Sequence, residues 1–256
     1  MPDSRELRAR YEATFGYWDD RWEALLEVDA PLFAAYLDLV SVPMRKGHLD
    51  PVSRALIFLA VDVASTHLYL PGVRQRIAHA LDLGATRAQI AEVFRLVATL
   101  GIHAMNLGVP MLAELLVERG DRTGPAELTA YQEELKERFT VARGYWHAFW
   151  DEMLELDPEM FEAYTDFSSL PWADSVLEPK LKEFVYTAFD SSATHLYVEG
   201  WRLHMRNALG YGATPGELLE VMEISSTLGI HGPLSAAPIL RDELQKRLGR
   251  TEPRVG

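Results

Sequence analysis

The chain has no cysteine among its 256 residues. That excludes disulfides, thiolate metal sites and thiol redox chemistry, and fits a cytoplasmic protein. Basic side chains are also short: 25 Lys and Arg stand against 38 Asp and Glu, a net charge of −13. Such a surface repels a phosphate backbone, so nucleic acid is not an expected partner. No uninterrupted apolar run approaches the roughly 18 residues of a membrane span; Asp62 breaks the longest candidate, and no membrane partner is expected. The opening Met-Pro-Asp-Ser-Arg-Glu lacks the apolar stretch of a secretory signal. No segment alternates with the period of a strand for long enough to propose a sheet. What is present is 48% apolar and 25% charged, an ordinary globular balance.

The chain is organised by a repeat. Ala64-Ser-Thr-His67-Leu-Tyr69 returns 128 positions later as Ser192-Ala-Thr-His195-Leu-Tyr197. At the same offset, without a gap, Gly16-Tyr17-Trp18 returns as Gly144-Tyr145-Trp146, and Leu100-Gly-Ile-His103 as Leu228-Gly-Ile-His231. Roughly a third of aligned positions are identical. The period is far longer than the roughly 20–50 residues of solenoid repeats, so a domain-sized unit has been duplicated. The units are assigned to residues 1–125 and 126–256, joined by the polar turn-rich stretch Arg119-Gly-Asp-Arg-Thr-Gly-Pro125. Each is long enough to bury a core of its own.

Within a unit the signals are helical. Residues 1–15 read as a lead-in helix, and Trp18, Trp22, Leu25 and Leu26 recur at helical spacing as core or subunit contact. A helix from Pro31 to Val40 is expected to stop at Val42-Pro43. Asp50-Pro51 starts a helix, Asp as N-cap and Pro at the first position. Its run Ala55–Ala64 is apolar on nearly every side, as for a helix in the middle of a bundle. Pro71-Gly72 breaks the chain before a helix over 73–83 that Gly84 terminates. Thr86…Gln89 and Thr214-Pro-Gly-Glu217 are capping boxes, and His103 and His231 fall at the entrance of each last helix. The fold class is all-α: two similar helical units packed as a pseudo-dimer about a two-fold axis.

The order of these pieces, with Ala80-Leu-Asp-Leu-Gly84-Ala-Thr86 and Glu92-Val93, then Ala208-Leu-Gly-Tyr-Gly212-Ala-Thr214 and Glu220-Val221, resembles the carboxymuconolactone decarboxylase and alkylhydroperoxidase D-like superfamily. The resemblance covers about residues 11–118 and 139–246, as a tandem two-repeat member. The peroxidase branch uses a C-x-x-C pair, an upstream glutamate and a downstream histidine. Here His67 and His195 stand near the first cysteine position, and Leu70 and Val198 at the second. Glu183 matches the glutamate, with Ala55 opposite it, and His204 matches the histidine, with Arg76 opposite it. Without sulfur that branch is closed. The decarboxylase branch implies proton transfer on a small organic acid or lactone with no cofactor, and the superfamily implies ring-like homo-oligomers: a trimer of tandem chains, or else a dimer.

The residues themselves agree with proton transfer. His67 and His195 end a buried apolar helix, where an imidazole needs a partner or a task. His103 and His231 sit at helix N-termini, which favour the neutral base. Tyr69 and Tyr197 offer phenolic donors, and Arg74 and Arg202 could grip a carboxylate; each of these also reads as an ordinary structural or surface residue. Asp62 and Asp190 orient a histidine or cap a helix, and Glu92 and Glu220 serve a site or a polar helix face. The expected chemistry is cofactor-independent general acid–base catalysis by a decarboxylase, isomerase or related lyase, with His67 and His103, or His195 and His231, sharing a pocket. The second unit is favoured because it adds Glu183 and His204. A non-catalytic helical scaffold is the alternative. A second alternative is a divalent metal on His67, His103 and a carboxylate such as Asp62 or Glu92, which spacing alone does not indicate.

Overall fold

The computed structural model describes residues 3–173 and 176–251; Met1 and Pro2 of the lead-in segment lie outside them. The first unit contains α1 (Ser4–Phe15), α2 (Asp20–Val28), α3 (Ala30–Lys46), α4 (Pro51–Val63), α5 (Leu70–Asp82), α6 (Arg87–Ala98) and, after a 3-10 turn over Thr99–Ile102, α7 (His103–Arg119). The second contains α8 (Ala130–Arg143), a 3-10 turn over Ala148–Trp150, α9 (Asp151–Leu156), α10 (Pro158–Ala173), α11 (Pro179–Ser191), α12 (Val198–Gly210), α13 (Pro215–Ser226), a turn over Thr227–Ile230 and α14 (His231–Thr251). No strand occurs among the described residues, and the 128-residue offset superimposes nearly every helix boundary.

Local chemistry sets those boundaries. The Asp50 carboxylate accepts from Ser53 N–H at 3.0 Å and starts α4. Both capping boxes are closed, Thr86 with Gln89 and Thr214 with Glu217. Two expected boundaries move. α5 begins at Leu70, with Pro71 and Gly72 in its first turn and not before it, because a proline there has no N–H left to satisfy; and α3 does not stop at Pro43 but runs through it to Lys46, where Gly47 caps it at φ +63°. A proline removes one N–H and crowds one preceding carbonyl, and three further residues complete the turn until glycine adopts the left-handed conformation.

The units are intertwined. α4 packs on α11 across the middle; α14 packs on α2 while α7 packs on α9, and α13 on α3 while α6 packs on α10. Each contact occurs with its mirror, as in an isologous two-fold interface. The expectation of one core per unit therefore gives way to shared cores. In one, Tyr11, Trp22, Phe33 and Leu37 of the first unit pack with Ile224, Leu228 and Leu234 of the second. Trp22 is core, stacked on Tyr36 at 5.7 Å.

Glu92 and Glu220 also find their role here. Glu220 is buried, takes Arg54 Nε–H at 2.8 Å and accepts from His48 N–H at 2.7 Å and Leu49 N–H at 3.2 Å. Its counterpart Glu92 pairs with buried Lys182 at 3.0 Å and accepts from Val176 and Leu177 N–H. Each carboxylate holds the start of the other unit's central helix, so these glutamates clamp the units and do not face the histidines. The continuous run Arg87–Arg119 is long and apolar enough to cross a membrane by length and composition alone. Its first half is core, with Ile90, Val93 and Leu96 buried around the ion-paired Glu92.

Candidate active site

At the end of α4 the chain folds back on itself. His67 and Leu68 N–H both reach Ala64 C=O, at 2.8 and 2.7 Å, and Tyr69 N–H reaches Asp62 C=O at 2.9 Å. Closing so tight a turn puts Leu68 at φ +44°, a conformation unfavourable for a side chain with a Cβ. The second unit repeats it, with Leu196 at φ +52°. The turns deliver His67 and His195 to the first residues of the other unit's last helix.

The histidines therefore pair across the units, not within them. His67 Nε2 lies 2.7 Å from His231 Nδ1, and His195 Nε2 lies 2.6 Å from His103 Nδ1. The expected sharing of His67 with His103, and of His195 with His231, is replaced by this crossed arrangement. Its cause is the swap that places α14 beside α2 and α7 beside α9. Tyr69 stacks on His231 at 4.0 Å and Tyr197 on His103 at 3.9 Å, so the tyrosines hold the rings by their faces.

Under each pair lies a carboxylate. Asp62 is 1% and Asp190 0% exposed. Asp62 Oδ1 is 3.6 Å from His231 Nδ1, and Asp190 Oδ1 is 3.8 Å from both His103 Nδ1 and His195 Nε2. These contacts are too long for hydrogen bonds, and Asp62 Oδ2 and both Asp190 oxygens lack a hydrogen-bond partner. Gly72 and Gly200 allow the approach of the next helix: a Cβ at Gly72 would sit 2.4 Å from Asp62 Oδ2, and one at Gly200 2.5 Å from Asp190 Oδ2.

Burial dominates the electrostatics. It pushes His231 and His103 down to about 3, helped by the Arg76 and His67 charges on His231 and by His195 and His204 on His103. Burial also lowers His67 and His195. Both pairs are neutral at pH 7, one ring donating N–H to the lone pair of the other. Desolvation lifts Asp62 to about 6 despite Arg76. It lifts Asp190 well above the carboxylate range, with Glu183 adding to the rise. Burial takes Tyr69 and Tyr197 to about 12.

The two centres then diverge. In centre 1 (Asp62, His67, His231), Arg76 is 4% exposed, sets its Nε 3.5 Å from Asp62 Oδ2 and lies over the Phe58 ring at 4.2 Å. In centre 2 (Asp190, His103, His195) that position is His204, whose Nδ1 meets Glu183 Oε2 at 2.6 Å and whose Nε2 is 4.0 Å from Asp190 Oδ2. The nearby guanidinium comes instead from Arg143 on α8, over Tyr145 and Tyr186. Glu183 and His204 are thus together beside centre 2, next to His195 and His103 and not to the His195–His231 pair of the sequence reading. Arg74 and Arg202 are exposed and do not reach the histidines. Arg202 lines an open groove of about 650 Å³ with His147, Glu199 and Asn106. Asn106 and Phe149 also border a small space of about 20 Å³ against His103, Tyr197 and His204, room for about one water.

Asp62 and Asp190 were visible in sequence but undecided, and Arg76 and Arg143 had no visible role. The recurrence of Asp62 and Gly72 as Asp190 and Gly200 is the signal that points to the carboxylates. Two groups offer ligand atoms within 4.8 Å of one another, Asp62–His67–His231 and His103–Asp190–His195. The metal set weighed as an alternative, His67 with His103, is not brought together: His67 falls in one group and His103 in the other.

Comparison with known proteins agrees with the repeat. The model of the carboxymuconolactone decarboxylase family matches residues 30–107 and again 158–231. A crystal structure from Burkholderia xenovorans LB400, of a protein provisionally named a gamma-carboxymuconolactone decarboxylase subunit, is 50% identical. It covers 96% of this chain and 99% of its own at a TM-score of 0.94. None of the curated proteins compared with the chain matches it.

Proposed function

Because the chain belongs to the carboxymuconolactone decarboxylase family, we propose that it is a decarboxylase or related lyase that moves protons on a small organic acid or lactone through its crossed histidine pairs. The observation that carries the reading is the imidazole–imidazole hydrogen bond, present in both centres at 2.6–2.7 Å over a buried aspartate. A neutral imidazole with a fixed partner has its tautomer and orientation set in advance, which is what a general acid–base group requires.

The roles are best separated at centre 1. His67 is the less depressed base of its pair, and His231, driven to about 3, stays neutral and orients it. The Asp62 and Arg76 charges oppose each other. In a decarboxylation the C–C bond to the carboxyl group breaks, carbon dioxide leaves, and the electron pair passes into an enolate that a proton then quenches. Arg76 supplies a fixed positive charge beside that path, and preorganised charge is the largest usual contribution to such steps.

The test is carbon dioxide release from a carboxymuconolactone-type acid by the wild type, by His67→Ala, by His195→Ala and by the double variant, each with a melting curve. The double variant is expected to keep its fold and lose about 10²–10⁴ in turnover, the usual worth of a positioned acid–base group. The single variants apportion turnover between the centres. A double variant as active per folded molecule as the wild type would remove the histidines from the mechanism and favour the scaffold reading. A homo-oligomer belongs to the same proposal: Leu107, Met111, Leu112 and Leu115 lie exposed along α7 as candidate contact surface. Light scattering at the 28.9 kDa of one chain would count against it.

A further inference from the structure

The two centres share a plan but not a charge. In centre 1 the buried carboxylate has a cation 3.5 Å away in Arg76. In centre 2 the equivalent residue is His204, which is committed to Glu183. Asp190 is fully buried, has no hydrogen-bond partner on either oxygen, and faces two imidazole nitrogens. A carboxylate in that state needs a proton or a cation. A proton on Asp190 Oδ1 would find the facing imidazole nitrogens 3.8 Å away, beyond hydrogen-bond reach.

We propose that centre 2 binds one divalent transition-metal ion through His103 Nδ1, His195 Nε2 and Asp190 Oδ1. The distances fit. These three atoms form a triangle with sides of 2.6, 3.8 and 3.8 Å. The circle through them has a radius of about 2.0 Å, so one point lies at the bond length that zinc makes to imidazole nitrogen and carboxylate oxygen. Two imidazoles and one carboxylate form a set that zinc and iron(II) both take, with positions left open for water or a substrate oxygen. Tyr197, stacked on His103, fixes one ligand ring by its face. The polypeptide turn through Leu196 fixes the other. Centre 1 has the same residue types, but Arg76 already supplies its positive charge and opposes a second cation. Each buried aspartate would thus have a cation beside it, the Arg76 guanidinium at Asp62 and the ion at Asp190; Arg143 lies over Tyr145 and Tyr186 and makes no hydrogen bond to Asp190.

The inference deepens the acid–base reading by giving centre 2 a cofactor. With the ion in place His103 and His195 are ligands there, His204 with Glu183 is the ionisable pair left for proton transfer, and centre 1 keeps its free pair. The experiment measures binding, so it fails separately from that reading. The full chain is stripped with chelator and titrated with Co²⁺, followed by its visible d–d absorption and by calorimetry, with Zn²⁺ as competitor. One site per chain is expected. Asp190→Asn and His195→Gln should each weaken it at least tenfold, while Asp62→Asn leaves it unchanged. His195→Gln alters a half-buried turn residue and guards against a folding defect in Asp190→Asn; helical circular dichroism checks both. No saturable site, a site indifferent to Asp190→Asn and His195→Gln, or a site lost in Asp62→Asn would each overturn the proposal.

Discussion

Removing Arg76 isolates the electrostatic logic of centre 1. Arg76→Leu keeps most of the apolar volume but leaves Asp62, 1% exposed, with no cation beside it. The wild-type carboxyl is already raised to about 6 by burial, with Arg76 holding it down; without the guanidinium it rises further. A carboxyl raised on folding contributes stability that is present below its unfolded value near 3.8 and lost as pH climbs through its folded value. Above pH 6 the wild type has lost that contribution, and Asp62 adds no further slope. In the variant the folded state keeps its proton while the unfolded chain does not, so stability falls by about 1.4 kcal/mol per pH unit. Between pH 6 and 8 the excess loss approaches about 3 kcal/mol, consistent with the roughly 3–5 kcal/mol cost of breaking a buried ion pair from one side. Lost cation–π contact with Phe58 at 4.2 Å adds about 0.5–2 kcal/mol at every pH. Urea unfolding of both proteins from pH 5.5 to 8.5 reads the difference, and Arg76→Leu with Asp62→Asn should abolish the pH-dependent part. Parallel stability curves for the wild type and Arg76→Leu would refute the reasoning, because they would mean that Asp62 does not depend on the guanidinium.

Other perturbations follow from the same structure. Burial lowers His67, His79, His103, His147, His195 and His231. Each such histidine adds stability above its unfolded value near 6.5 that is lost as pH falls toward its folded value. Asp62 and Asp190 act oppositely over the same range but are fewer, so the melting temperature should drop between pH 6.5 and 4.5 in a scanning fluorimetry series; a rise would contradict the six assignments. Gly200→Ala places a Cβ 2.5 Å from Asp190 Oδ2 and from the Tyr197 ring, and chemical denaturation should show a loss of at least about 1–3 kcal/mol. Glu220→Ala strands Arg54 and two backbone N–H groups at the seam between units. Its cost should be about 3–5 kcal/mol, and an unfolding free energy within 1 kcal/mol of wild type would deny the clamp.

The fold was largely legible because its signals are local and occur twice. The Asp50-Pro51 start, the two capping boxes and the unbroken apolar face of α4 are decided by neighbours in sequence, and the 128-residue offset checks each one. Pro43 misled because proline weighs heavily as a local signal, while the turn that continues to Lys46 is capped only at Gly47. The histidines were legible as a set but not as partners. Which of His103 and His231 meets His67 depends on whether the last helix packs on its own unit or the other, and no local pattern encodes that choice. Arg76 and Arg143 illustrate the same limit. One guanidinium lies over Tyr17 and Phe58, the other over their counterparts Tyr145 and Tyr186. They stand at non-equivalent positions in the repeat, so aligning the copies hides that they fill similar surroundings.

The crossed pairing also bears on what fusion of the units makes available to mutation. A single unit holds one histidine of each centre and completes neither. Two separate identical copies would build two identical centres, and any substitution would strike both at once. Joined in one polypeptide, positions 76 and 204, or 55 and 183, vary independently, and the present chain shows arginine against histidine and alanine against glutamate at those places. The linker therefore does more than shorten the search for a partner: it breaks the molecule's symmetry and lets one centre change its side chains while the other holds.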